Sequence, residues 1–147
     1  MNRGFSLLEL VLAISIFAVG SLAAGLLIID ANVSSRTGLD EAQSVLVARE
    51  GLEAVTAMRD QAFSNLVITS GPHGLANPSQ YTWVFSGTSD LNYNQFSRTI
   101  DISLNPPSAP FSSTSTATVS STVAWVTAKG GYSTTTLTTI LTNWRNN

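Results

Sequence analysis

The chain has 147 residues, of which 44% are hydrophobic and 11% charged, with a formal net charge of −2 and a mean hydropathy of +0.20. Ordinary soluble domains carry about 25% charge, so the composition excludes a disordered charged tail and argues against a freely soluble cytosolic protein. A single Lys and six Arg offer no basic surface for nucleic acid, and the lack of Cys excludes a disulfide framework, thiol catalysis and cysteine-ligated metal.

The first element is an apolar run. Residues 10–29 read LVLAISIFAVGSLAAGLLII, twenty positions without a charge. As a helix this run is about 30 Å long, the thickness of a bilayer core. Residues 39–66 follow with apolar positions at helical spacing: Val45, Ala48, Leu52, Val55, Met58, Ala62 and Leu66. Arg49, Glu50, Glu53 and Asp60 lie mainly off that stripe. Residues 30–38 hold Asn, Ser, Thr and Gly38, where the helix is expected to weaken, but the first proline is Pro72. The expectation is one helix from about Phe5 to about Asn65, roughly 90 Å long, bent if anywhere near Gly38. Its apolar half would protrude from any small domain.

After Gly71-Pro72-His73-Gly74 the pattern turns to strands. Residues 80–86 read QYTWVFS. In residues 95–104, Phe96, Ile100, Ile102 and Leu104 alternate with Ser97, Thr99, Asp101 and Ser103. Arg98 falls on the apolar face and is expected to snorkel to an edge. Pro106, Pro107 and Pro110 make residues 105–116 a loop. Residues 118–128 and 132–142 are β-rich and flank Lys129-Gly130-Gly131, a hairpin signal. Val119, Val123 and Trp125 share a face of the first, and Leu137 and Leu141 share a face of the second. The expected fold is α+β, with the long helix packed on one antiparallel four-stranded meander. Eleven of the sixteen charged residues precede position 61, and Ser and Thr replace charge in the β-region.

Three readings of the N-terminus compete. A secretory signal would need a cleavage site near Ser21-Leu22-Ala23-Ala24, yet the apolar run continues through Ile29. A single-pass anchor would keep Arg3 in the cytoplasm and send residues 30–147 outward. Neither accounts for Glu9, a carboxylate one turn into the apolar stretch with no basic residue within that stretch. A charge at the centre of a membrane helix costs about 2.5–3.5 kcal/mol, and less near an end. Cleavage after Gly4 would create an α-amino group on Phe5, and Phe5 and Glu9 stand at i and i+4. The amine of the same or an adjacent chain would then meet Glu9 in low dielectric, where such a pair is strong.

Arg3-Gly4-Phe5-Ser6-Leu7-Leu8-Glu9-Leu10, followed by the apolar run, resembles the class III signal of type IV pilins and type II secretion pseudopilins. The resemblance implies cleavage after Gly4 by a prepilin peptidase, N-methylation of Phe5 and a role for Glu9 in subunit assembly. It divides the chain into a leader (1–4), a transmembrane or filament-core half of the helix (5–29), an amphipathic half (30–66) and an antiparallel β-domain (67–147). It also implies the inner membrane as first location, with the N-terminus cytoplasmic, and then a surface or periplasmic filament. Its partners would be the peptidase and other pilin-like subunits, with no nucleic acid, small-molecule substrate, cofactor or metal. Residues 42–60 are similar to the outer helix of minor subunits, and residues 134–145 to the last strand of some prepilin-like proteins, with Trp144 closing the domain. The chain departs from many major pilins in having no C-terminal Cys pair and no Pro in the membrane half; Gly20 and Gly25 are either weak points of the helix or packing sites.

Other chemistry finds little footing. His73 is the only His and reads as an exposed loop residue, and no Gly-x-Ser-x-Gly occurs. Asp90 and Asp101 lack calcium-loop spacing. An enzyme is therefore not expected. The alternative to a scaffold is a membrane-tethered or filament-tip adhesin that uses Trp83, Trp125 and Trp144 or the Ser/Thr surface. Asn32-Val33-Ser34 matches a glycosylation sequon beside the membrane.

Overall fold

The computed structural model describes residues 6–67, 71–79, 82–92, 95–106 and 110–144. In chain order these form α1 (Leu7–Gln61), a 3-10 turn (Phe63–Leu66), β1 (Leu75–Ser79), β2 (Thr82–Phe85), β3 (Asp90–Asn92), β4 (Phe96–Asn105), β5 (Thr116–Val126) and β6 (Tyr132–Thr142). They belong to two compact units, Met1–Gly38 and Leu39–Asn147.

In the first unit every described element is helix. The Ser6 carbonyl accepts the Glu9 and Leu10 N–H groups at 3.0 and 3.2 Å, which opens α1. Residues 30–38, where weakening is expected, are helical. Polar side chains along this unit turn back on the helix. Ser15 Oγ donates to the Val11 carbonyl at 2.8 Å, Asn32 Nδ2 to Ile28 at 2.9 Å and Thr37 Oγ1 to Val33 at 2.9 Å. Each polar group is thereby satisfied four residues back instead of competing for the backbone from outside. No residue of the apolar run is buried.

The second unit is α+β, but the expected single sheet of four is corrected. The strand read at residues 80–86 supplies β2, which leaves the meander and pairs with β1 in a separate two-stranded sheet. The main sheet has the order β3-β4-β5-β6, all antiparallel: three long strands and the three-residue β3. The sequence pattern shows neither β1 nor β3. The first contains Pro78 and has an irregular register, and the second is too short for alternation to register. The hairpin at residues 127–131 forms as read. Gly130 takes φ +82, and Thr127 N donates to the Gly131 carbonyl at 2.7 Å.

The buried stripe of α1 also differs from the one that hydrophobicity suggests. It runs through Ser44, Val47, Ala48, Gly51, Ala54, Val55 and Met58, while Val45 is 39% exposed. The stripe follows small residues because the sheet comes very close. A Cβ on Gly51 would lie 2.6 Å from Ser121 Oγ, 2.9 Å from Arg98 Cδ and 3.0 Å from Ile100 Cδ1. Two core clusters flank this point. One gathers Val55, Met58, Leu66, Ile100 and Val119, and the other Val47, Ala48, Phe96, Val123 and Trp125.

Arg98 is the second correction. Instead of snorkelling to an edge it is 1% exposed, beneath α1. Its Nη2 reaches Asp90 Oδ2 at 2.7 Å, its Nη1 donates to the Val47 carbonyl at 3.0 Å, and Glu50 Oε2 lies 3.9 Å from Nη1. Asp90 Oδ1 also accepts the Leu75 N–H at 3.1 Å. One guanidinium therefore joins the helix, β4 and β3 directly, and the β1–β2 hairpin through Asp90. Removing one partner of a buried pair strands the other, at a cost of about 3–5 kcal/mol. Arg98→Met is expected to destabilise the full-length protein in detergent by about 3 kcal/mol. Thermal unfolding followed by circular dichroism checks this, and an unchanged midpoint would contradict the linking role.

Candidate assembly site

The N-terminal segment holds every residue singled out for processing and assembly. Arg3, Gly4 and Phe5, the proposed cleavage and methylation residues, lie outside the described residues, as does the leader of residues 1–4. Glu9 is described. It is exposed in the first turn of α1. A carboxylate there interacts favourably with the helix dipole, and Ser6-x-x-Glu9 has the spacing of a capping box. Among the described residues, no ion pair involves Glu9.

Around Glu9 the helix presents apolar side chains on all sides. Leu7 is 80% exposed, Phe17 75% and Ile29 63%. The stretch is long and apolar enough to cross a membrane. A monomeric soluble protein rarely exposes an apolar surface of this extent, which marks a contact with lipid or with other apolar surfaces. The geometry thus places one acid near the start of a helix that is otherwise apolar up to Asp30.

The β-unit offers little chemistry. Among the described residues, no group of three His, Cys, Asp or Glu side chains is placed to hold a metal ion. His73 departs from its reading as an exposed loop residue. It is half-buried, its backbone bridges Ile100 at 2.8 and 2.7 Å, and its ring centroid lies 5.9 Å from that of Phe85. A hollow of about 430 Å³ is lined by Gln43, Leu46, Val47 and Glu50 on the flank of α1. Asn32 of the sequon sits within α1 with its amide donating to Ile28.

The three tryptophans separate. Trp125 is 5% exposed and packs edge-on against Phe96, with ring centroids 5.9 Å apart. Trp83 is half-buried against the larger core cluster. Trp144, expected to close the domain, is 58% exposed beyond the end of β6. Sequence patterning found the first two because they lie in apolar-patterned strands; nothing comparable frames Trp144.

Residues 1–25 match the family model described as the prokaryotic N-terminal methylation motif. No curated protein and no solved structure matches the chain. The different surroundings of the tryptophans are open to measurement. Trp144→Phe is expected to remove most of the acrylamide-quenchable fluorescence, and Trp125→Phe very little. The opposite ranking would contradict a core position for Trp125.

Proposed function

From an N-terminus that carries a prepilin-type methylation signal, we propose that the chain is a structural subunit of a type IV pilus or a type II secretion pseudopilus. The observation that carries this reading is the motif over residues 1–25 running into a helix whose apolar face is exposed all round. The precursor sits in the inner membrane with Arg3 in the cytoplasm. Prepilin peptidase cuts between Gly4 and Phe5, and Phe5 becomes the methylated N-terminus. The role is structural, not enzymatic.

Assembly then moves the apolar half of α1 from lipid into a bundle of like helices. Little hydrophobic free energy is gained, because lipid tails and apolar side chains are alike in polarity. Direction and register need a polar contact, and Glu9 supplies it by pairing with the Phe5 amine of a neighbouring subunit. Four residues of helix separate the two groups along the axis, about 6 Å, so the pair sets the axial offset between subunits. In low dielectric such an ion pair is far stronger than in water. Other pilin-like subunits are therefore the partners. The similarity of residues 42–60 to minor subunits is the support for a minor place in the filament. An adhesive β-domain remains a different reading; the burial of Trp125 and the packing of Trp83 against the core count against it and leave Trp144 as the exposed tryptophan of the three.

Two measurements test the reading. Glu9→Gln is expected to insert into the membrane at the normal level and to lose at least about tenfold in filament incorporation, the effect of about 1.4 kcal/mol or more. Incorporation at the wild-type level would remove the role of Glu9. Gly4→Leu is expected to keep Met1, whereas the native protein begins at N-methylated Phe5; intact-protein mass spectrometry reads both. A native start at Ala24 or Gly25 would indicate ordinary secretion instead.

A further inference from the structure

Two surface features of the Leu39–Asn147 unit complement each other. The first is the hollow of about 430 Å³ beside α1, lined by Gln43, Leu46, Val47 and Glu50. Val47 is buried and Leu46 is 63% exposed, so its floor and rim are apolar, with the Glu50 carboxylate beside them. Glu50 Oε2 lies 3.9 Å from Arg98 Nη1, beyond hydrogen-bonding distance. The second feature is the tip of the β5–β6 hairpin. Lys129, the only lysine of the chain, is exposed in its turn. Val126 and Tyr132 face each other across the two strands and are 58% and 86% exposed. Trp125, one residue earlier, is buried in the core, so strand alternation turns Val126 and Tyr132 to the face away from α1. The tip therefore sets a cation beside an apolar pair, and the hollow sets an anion beside an apolar floor.

The two features lie on opposite flanks of the same stretch of α1. Gln43, on the wall of the hollow, accepts from Gln95 Nε2 at 3.4 Å, just before β4. Ser44, the next residue, meets Thr135 of β6 at 2.9 Å between the two hydroxyl oxygens. With the strand order β3-β4-β5-β6, the hollow is on the β4 side and the hairpin on the β6 side. A tip that enters the hollow of a neighbouring copy thus leaves its own hollow for another. Other hollows suit the tip less well. One lined by Arg59, Gln61 and Asn143 carries a cation. Another, lined by Met58, Asn65 and Trp83, has no charge among its described lining residues. Docking tip on tip, or hollow on hollow, sets like charges against each other and is disfavoured.

We propose that the hollow beside α1 is a docking site for the β5–β6 hairpin tip of a second copy of this chain. The neighbouring copy's Lys129 meets Glu50, and its Val126–Tyr132 pair covers Leu46 and closes the hollow. Because both halves of the contact belong to one chain and lie on opposite flanks, the contact is heterologous and repeats from copy to copy. A Tyr side chain buries about 150–250 Å², against about 800 Å² per partner in a stable interface. The contact is therefore weak between two copies free in solution and effective where copies are held close together. It rests on the reading as a membrane-anchored structural subunit only for bringing copies together; the choice of surfaces does not.

The chain has no cysteine, so introduced thiols report without background. Two full-length variants with different tags, Gln43→Cys and Ala128→Cys, are co-expressed, and membranes of the producing cell are treated with a short bis-maleimide crosslinker. Gln43 borders the hollow and Ala128 adjoins Lys129. A dimer joining the two variants is expected at least about tenfold above the dimers that either variant forms alone. No such dimer, or equal yields from the single variants, would overturn the proposal. Lys129→Glu in the Ala128→Cys chain is expected to lower the yield about tenfold, and Glu50→Lys in the Gln43→Cys chain to restore it. Lys129 is exposed in a turn, so an unchanged yield in Lys129→Glu overturns the proposal whether or not Glu50→Lys folds. If circular dichroism shows the charge-swapped chain folded, absence of recovery overturns it as well. A benzophenone side chain at position 128 of the cysteine-free chain identifies the occupant: crosslinking to a second copy at Leu46 or Glu50 supports the assignment, and crosslinking only to a different polypeptide refutes it. None of these readouts requires Glu9 or cleavage after Gly4, so a failure of this contact and a failure of the filament reading are told apart.

Discussion

The contact on which the β-unit depends is the close approach of α1 to the sheet at Gly51, directly over Arg98. Within one helix turn, Val47 offers its carbonyl and Gly51 omits its side chain. Ser121, the Arg98 stem and Ile100 fill the space so opened, and the Arg98 guanidinium carries the contact on to Asp90. Helix, central strand, edge strand and hairpin are thereby tied together through one cation. A guanidinium suits this task better than an ammonium, because its planar fork engages a carboxylate with two donors and still has others for a carbonyl. The cost of burying the charge is offset by these bonds, and the arrangement specifies one register of helix on sheet.

Around that contact the sheet solves a solubility problem without charge. Its inner face alternates apolar residues with the outer-face hydroxyls of β4, β5 and β6. Cross-strand pairs such as Ser120–Thr138 and Thr122–Thr136 are spaced at 3.0 Å. β-Branched threonine suits a strand and keeps the surface wettable. The same choice leaves β6 without the charges that commonly protect an edge. Low charge is thus a property of the surface itself.

The N-terminal helix follows a different logic. Between Glu9 and Asp30 the sequence has no charge and Ser15 bonds back to the Val11 carbonyl, so this stretch presents an almost wholly apolar exterior. Such a surface exchanges lipid for other helices at little cost in either direction. Specificity in such a surface must come from its few polar groups, and Glu9 is the acid in its first turn. The methylation motif over residues 1–25 runs directly into this exposed apolar helix.

How much of this was legible beforehand depended on range. The apolar run, the helix that continues it, the three long strands and the 127–131 hairpin all follow from period and turn chemistry, which are local. The methylation motif over residues 1–25 was legible because such a signal is read from contiguous residues. Tertiary contacts settled the rest. Arg98 looked misplaced on an apolar face until Asp90 and the Val47 carbonyl were brought to it. Val45 seemed part of the helix stripe, yet it is 39% exposed, while the stripe passes through Ser44, Ala48 and Gly51, where the sheet comes close. The strand at 82–85 pairs with β1, and Asp90–Asn92 holds the place beside β4. The sequence by itself determined what each segment is, since helical and strand periods and a cleavage signal are properties of neighbouring residues. Only the tertiary structure decided which segments meet, because that outcome depends on distances between residues far apart in the chain.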